Sequence, residues 1–292
     1  MIWLWLLAGH LAGDFVLQSD KLVRLKETNL LRGLTAHVFI HAGLYIVITA
    51  LYWGMFGGSV FLLLCTVAVI SILHLIIDFL KVVMSRKLKS VGAQIFLFLT
   101  DQSVHIFVIA GTVFILSPGG VQWETVYPDL AAVAQGTYDW HYADRAAAIV
   151  CLVITGTYAA GYFLGILLQN VAPKDDIQKD HYVIENERTE VRTKMLPNGE
   201  RESEITTVKS EQLYRDSPQK TGRYIGMLER LLIMILLVTQ LSHGLAFLAA
   251  LKSLTRFKQF DNKQFAEYYL TGTIASAIIG LLIGILAAAV IQ

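Results

Sequence analysis

Residues 58–82 read GSVFLLLCTVAVISILHLIIDFLKV. This stretch is apolar, and its His, Asp and Lys residues come near its end, at His74, Asp78 and Lys81. A bilayer core about 30 Å thick is crossed by roughly 20 helical residues, so this stretch predicts a membrane-spanning helix. The composition agrees, because 55% of the 292 residues are hydrophobic and only 16% are charged. We therefore expect an all-α polytopic membrane protein.

Comparable apolar segments along the chain predict about seven transmembrane helices. A single crossing over residues 225–250 would put Lys252 and Arg256 outside the cell, although basic residues favour the cytoplasmic side. A re-entrant hairpin that bends at residues 240–244 is the alternative, provided that its backbone is buried in protein. The seven predicted spans are residues 2–19, 33–53, 58–82, 92–116, 145–169, 225–250 and 266–291.

The distribution of charge predicts the orientation and the domains. Residues 20–32 and 81–89 are rich in Lys and Arg, which predicts that they are cytoplasmic and that the N-terminus is external. Residues 170–222 hold 9 Lys/Arg and 11 Asp/Glu, which predicts a cytoplasmic insert. The expected organisation is a four-helix membrane bundle with a metal site (1–116), an external loop (117–144), a fifth membrane helix (145–169), the insert (170–222) and C-terminal membrane helices (223–292).

The insert contains a turn signal between two partly alternating segments. Leu196-Pro197-Asn198-Gly199 separates two stretches with strand-like patterning, which predicts a β-hairpin. Such a hairpin could be a ribbon that binds a protein partner, or the insert could be a solvated linker with some strand content.

Each of the first four predicted helices carries two ionisable residues four positions apart, on one helix face. Ionisable residues are costly inside a membrane and point to function. Inward pairs from four helices build dimetal sites, and His and Asp ligands suit zinc, iron or manganese. We expect two divalent transition-metal ions, with zinc favoured; a metal-free proton or substrate pathway is the alternative. The predicted ligands are His10, Asp14, His37, His41, His74, Asp78, Asp101 and His105.

Further polar residues fall into two groups. Gln18, Gln102 and Ser103 are expected to orient the ligands, and Asp14 and Asp101 are expected to be catalytic. Charged residues near the C-terminus either reach the membrane interface or form a charge network or a site for an anionic head group. They are Arg223, Glu229, Lys252, Arg256 and Glu267.

Six segments of the chain are HLAGDFVLQSD (10–20), HVFIH (37–41), HLIID (74–78), GMLERLL (226–232), KSLTRF (252–257) and AEYYLTGTIAS (266–276). In these segments the chain resembles a bacterial family of integral membrane proteins known only by a domain-of-unknown-function label. The resemblance implies a bacterial inner-membrane location and brings no established reaction. A looser similarity, in short helices that carry His and Asp, is to inner-membrane metal-dependent hydrolases.

Three classes of function fit these features. The first is a metal-dependent hydrolase that acts on a lipid-linked or amphiphilic substrate from the inner leaflet; with iron, the same ligands would suit oxygen-dependent lipid chemistry. The second is a transporter or channel for divalent metals or protons. The third is a structural metal site in a signalling or defence protein. A net charge of +1 argues against a nucleic-acid partner.

Overall fold

The computed structural model describes residues 1–116, 131–133, 135, 137–172, 182–195, 201–214, 220–255 and 263–291. The chain forms two compact units, one of Met1–Val171 with Arg223–Gln292 and the other of Ala172–Gly222. The greater part of the predicted external loop lies outside the described residues.

The N-terminal part of the first unit is a helical bundle. Four helices, α1, α3, α4 and α5, pack around one apolar core, while α2 packs against α3. The core side chains are Leu6, Tyr45, Val67, Ile70, Ile109 and Val113. The helices are α1 (Ile2–Leu11, continued by a π-helical turn at Ala12–Val16), α2 (Asp20–Thr28), α3 (Leu30–Phe56), α4 (Val60–Lys87) and α5 (Val91–Leu116).

The first predicted helix is shorter than expected, and a separate helix fills the loop after it. Ser19 adopts an extended conformation and its Oγ accepts a hydrogen bond from the Leu22 backbone N–H, which starts α2 as an N-cap. Asn29 caps α3 in the same way, through Oδ1 and the Arg32 N–H. Two capping residues therefore turn the predicted basic loop into a short helix.

The remaining helices complete the first unit. The fifth predicted span is one helix interrupted by a π-helical turn, and its N-terminal part packs against α1. These elements are α6 (Tyr142–Ile154), the π-helical turn Thr155–Ala159, α7 (Ala160–Leu167), α8 (Lys220–Val238), α9 (Gly244–Thr255) and α10 (Lys263–Ile291).

The sixth predicted span is not a single helix. Gln240 has a φ of 58°, and the Leu241 N–H donates to the Leu236 carbonyl, so α8 ends in a left-handed turn. The chain then reverses, as the contact between α9 and α8 shows: Lys252 Nζ lies 2.5 Å from Glu229 Oε2. This reversal occurs where the hairpin alternative placed it.

Five helices among the described residues are long and apolar enough to cross a membrane, rather than about seven. They are Leu30–Phe56, Val60–Lys87, Val91–Leu116, Tyr142–Leu167 and Lys263–Ile291. Ile2–Val16 and Gly244–Leu254 are shorter apolar helices. Large apolar side chains such as Phe39, Phe61 and Phe107 point outwards, whereas His and Asp side chains are buried inside. This distribution is that of a membrane protein.

The second unit contains two antiparallel strands, β1 (Tyr182–Met195) and β2 (Arg201–Tyr214), in the register Tyr182 with Tyr214 to Met195 with Arg201. The predicted turn at residues 196–199 lies outside the described residues.

Candidate metal centre

The eight His and Asp side chains of the four paired motifs meet inside the bundle. Their exposed fractions lie between 0% and 8%, and they come from α1 with its π-helical turn, α3, α4 and α5. Because the two members of each pair are four residues apart, both face the bundle axis at successive turns of one helix. The structure thus brings together all eight residues that the sequence predicts as ligands.

Asp14 joins three of the four helices. Its Oδ1 lies 3.0 Å from His37 Nε2 and 3.1 Å from His41 Nε2, and its Oδ2 accepts a hydrogen bond of 3.0 Å from Gln102 Nε2. His10 Nε2 is 3.6 Å from the same Oδ2. The π-helical turn Ala12–Val16 carries Asp14, and Gly13 beside it packs so closely on the His41 ring that a Cβ would overlap the ring.

The five imidazoles form one contiguous layer. The His41 and His74 ring centroids are 4.0 Å apart, and His10 lies 4.6 Å from His105 and 5.4 Å from His74. Both ring nitrogens of His10 and of His74 are buried and have no hydrogen-bond partner among the described residues. Buried polar atoms are normally paired, and metal ions are one kind of partner that accepts the lone pairs of imidazole nitrogens.

Three groups of these residues bring their ligand atoms within 4.8 Å of one another. The first and third groups share no residue, while the second shares His74 with one and His105 with the other. The arrangement therefore offers two separate centres and a connecting row of imidazoles. The groups are Asp14, His37, His41 and His74; His10, His74 and His105; and Asp78, Asp101 and His105.

In the third group, every residue is held by one atom and leaves another free. Lys26 Nζ lies 2.8 Å from Asp78 Oδ2, and Lys81 Nζ lies 2.6 Å from Asp101 Oδ2. The His105 Nδ1 bonds to the Asp101 carbonyl at 2.9 Å. Asp78 Oδ1, Asp101 Oδ1 and His105 Nε2 are buried without a described partner. Ligands oriented through their second polar atom are typical of metal sites.

Two of the predicted orienting residues contact this network and one does not. Gln102 Nε2 donates to the Oδ2 atoms of both Asp14 and Asp101, at 3.0 Å each. Gln18 Oε1 accepts from Lys26 Nζ at 3.2 Å, so Gln18 reaches the site through a lysine. Ser103 is exposed, because two positions beyond Asp101 is nearly the opposite face of a helix.

Sequence reasoning missed three residues. Lys26 and Lys81 were interpreted only as cytoplasmic loop charges, although Lys81 follows Asp78 by three positions on the same helix. Tyr45, one turn beyond His41, is fully buried with its hydroxyl unpartnered among the described residues. Nothing in the sequence places Lys26 beside Asp78.

Residues 2–133 match the family described as "Protein of unknown function (DUF3307)". The resemblance to a family of unknown function is therefore confirmed over this region. The DUF3307 region contains all eight cluster residues as well as Lys26, Lys81 and Gln102. Comparison with curated proteins and with solved structures gives no match.

The predicted C-terminal charges lie outside the DUF3307 region, and they include one close pair, Glu229 with Lys252. Arg223 is exposed, Glu267 forms an exposed pair with Lys263 at 3.9 Å, and Arg256 lies outside the described residues. The buried guanidinium here is that of Arg230, which donates to the Gly156 and Thr157 carbonyls and to Ser276 Oγ.

Proposed function

We propose that this protein is an intramembrane metal-dependent hydrolase with a dinuclear His/Asp centre. The observation that carries the proposal is the set of buried, unpartnered ligand atoms in two groups that share no residue. Asp14, His37, His41 and His74 would hold one ion, and Asp78, Asp101 and His105 would hold the other. His10 lies between them. The donor set suits zinc, with iron or manganese as alternatives.

The chain's own residues fit a hydrolytic role. Two bound ions would supply Lewis-acid and water-activating chemistry. Gln102 bridges Asp14 and Asp101 and so holds both proposed catalytic carboxylates in one orientation. The unpartnered Asp101 Oδ1 would either bind the second ion or accept a proton from water. The apolar bundle excludes bulk water, which strengthens these electrostatic interactions.

The location of the cluster supports an amphiphilic substrate. The bundle is apolar on its outer face, and the two lysines that touch the cluster lie at the basic end of the bundle. We propose that the protein lies in a bacterial inner membrane with this end in the cytoplasm and the N-terminus outside. A lipid-linked substrate would then reach the centre from the inner leaflet.

The same residues would form a transit site in a divalent-metal or proton transporter. Lys26 and Lys81 argue against metal transit, because ammonium groups beside the carboxylates repel a cation that enters from that end. We therefore favour hydrolysis, and the experiment below separates the two.

The test uses purified full-length protein, prepared without chelator. Elemental analysis should find a first-row transition metal, and His74→Ala should lose metal, because His74 belongs to two ligand groups. His243→Ala is the matched control, since His243 is exposed and remote from the cluster in sequence. Lipid species in vesicles containing the protein are compared by mass spectrometry with metal and proton flux. Flux that depends on Asp14 and Asp101 without any lipid change would establish the transporter instead.

A further inference from the structure

Two lysines contact one ligand group of the candidate centre. Lys26 on α2 and Lys81 on α4 each bind one carboxylate of a single ligand group, through Asp78 Oδ2 and Asp101 Oδ2. Their side chains are 13% and 31% exposed, whereas those of Asp78 and Asp101 are 3% and 1% exposed. The lysines therefore stand between the buried ligands and the surface of the bundle.

Both ammonium groups have N–H bonds left over. An ammonium has three donors, and Lys26 gives two of them to Asp78 and Gln18, while Lys81 gives one to Asp101. Among the described residues, one donor of Lys26 and two donors of Lys81 therefore have no acceptor. A molecule that approached the ligand group from the surface would meet these donors first.

The charges of the site call for an anion once metal is bound. Three carboxylates and two ammonium groups leave one negative charge when the imidazoles are neutral. Two divalent cations would turn this into three positive charges in a buried site. Uncompensated buried charge is expensive, so a multiply charged anion would be strongly favoured there.

The surface around the lysines is also basic. Lys21 and Arg24 lie on α2 with Lys26, Arg86 and Lys87 follow Lys81 on α4, and all four are exposed. Basic residues at a membrane surface attract anionic lipid head groups. The same field would concentrate an anionic substrate at this surface.

We propose that Lys26 and Lys81 bind the phosphate group of the substrate, and that the substrate is a lipid phosphate monoester; this inference rests on the proposed hydrolase function. Lysine is a common phosphate ligand, and it acts as a point charge with rotatable donors. In the reaction, water adds to phosphorus and the ester P–O bond breaks. One proton of the water goes to the leaving lipid alcohol. The oxygen of the water, with its other proton, becomes part of the phosphate.

The experiment measures binding of inorganic phosphate to metal-loaded full-length protein by calorimetry, and phosphate release from vesicles of phosphatidylcholine with or without phosphatidic acid. Lys26→Met and Lys81→Met should each weaken phosphate binding about tenfold or more, since a charge-assisted hydrogen bond is lost. Lys263→Met is the control and should bind as the wild type does, because Lys263 is an exposed lysine of α10 that belongs neither to the ligand groups nor to this basic surface. Phosphate should be released only from the vesicles that contain phosphatidic acid.

Each outcome bears on the inference. Methionine variants that keep their metal and bind phosphate as the wild type does would overturn it. Phosphate binding without release from phosphatidic acid would assign the lysines to free phosphate and overturn the lipid substrate. If metal-loaded wild-type protein did not bind phosphate, the inference alone would be overturned. If wild-type protein were purified without metal, the proposed function would be overturned as well.

A measurement on wild-type protein covers the case in which the methionine variants do not fold. Inorganic phosphate should slow acylation of Lys81 by an amine reagent and should leave acylation of Lys263 unchanged, because Lys81 contacts the ligand group and Lys263 is an exposed residue of α10. Equal rates at Lys81 with and without phosphate would contradict the inference.

Discussion

Gln102 joins the two carboxylates that belong to different ligand groups. Its single Nε2 donates to Asp14 and to Asp101, so one side chain fixes the relative positions of the two proposed centres. Its own amide is only partly buried, and it does not belong to any of the three ligand groups. Gln102 is therefore a positioning residue, whose effect should appear in metal affinity rather than in the identity of the ligands.

Gln102→Ala should weaken metal affinity about 10-fold to 100-fold, because both aspartates lose an orienting donor. Affinity is measured by competition with a chelator in detergent. Ser103→Ala is the matched control, since Ser103 is the next residue on α5 and is exposed. Equal losses in the two variants would mean that helix α5 is being disturbed rather than the site.

The sequence predicts the eight cluster residues because a four-residue spacing fixes a helix face, and because buried charge in an apolar helix is rare without function. It does not predict the partners Lys26 and Lys81. A lysine next to a membrane segment normally indicates a cytoplasmic loop, and the spacing carries no information about contacts between helices. The Lys26 contact depends on where α2 lies, which is decided by packing.

At the scale of elements, Gly33 determines how closely α2 approaches α3. A Cβ at position 33 would lie 2.5 Å from the Lys26 backbone nitrogen and 2.6 Å from its Cα. Backbone atoms cannot move aside as a flexible side chain can, so a methyl group would push α2 away. Gly33 thus lets α2 deliver Lys26 to Asp78.

Gly33→Ala should destabilise the protein by about 1–3 kcal/mol, as overpacking does, and should weaken the Lys26–Asp78 pair. Gly43→Ala on the same helix is the control, because a Cβ there meets nothing within 4 Å. Thermal unfolding in detergent compares the two variants. If Gly43→Ala were as destabilising as Gly33→Ala, close packing of α2 would not be the reason.

Two π-helical turns were not predicted, because neither contains Pro and each lies inside a segment that the sequence predicts as one helix. The turns Ala12–Val16 and Thr155–Ala159 contact each other. The Gly156 and Thr157 carbonyls of the second turn accept hydrogen bonds from Arg230 of α8. Arg230 also binds Ser276 of α10, so one guanidinium ties three elements together.

Arg230→Met should lower the free energy of unfolding by about 2–4 kcal/mol, because buried carbonyl groups lose donors that fit them. Arg223→Met, two turns earlier on the same helix and exposed, should change it little. Both are followed by thermal unfolding. An unchanged midpoint for Arg230→Met would show that water replaces the guanidinium at the π-helical turn.

At the scale of the first unit, three contacts bring the ends of several helices together on one side of the bundle. The Met1 amino group pairs with Asp144, the Phe56 and His141 rings are 5.6 Å apart, and Arg145 Nη1 donates to the Ile291 carbonyl at 3.4 Å. Lys26 and Lys81 lie at the opposite end. The Met1 and Phe56 contacts match the alternation predicted for the first five spans. The Ile291 contact matches the hairpin alternative, because seven alternating spans would put residue 291 at the opposite end.

Absolute orientation follows from the positive-inside rule and is the remaining prediction. In a variant without Cys65 and Cys151, cysteines at exposed positions report the side of the membrane. Glu27→Cys on α2 and Lys87→Cys on α4 should react with an impermeant thiol reagent only after permeabilisation, and Asp139→Cys should react in intact cells. Asp139 lies just before α6, whose first turn pairs with Met1, so its label also reports the side of the N-terminus. Labelling of residues 27 and 87 in intact cells would put the basic end outside, and a substrate from the inner leaflet would then have no route past Lys26 and Lys81.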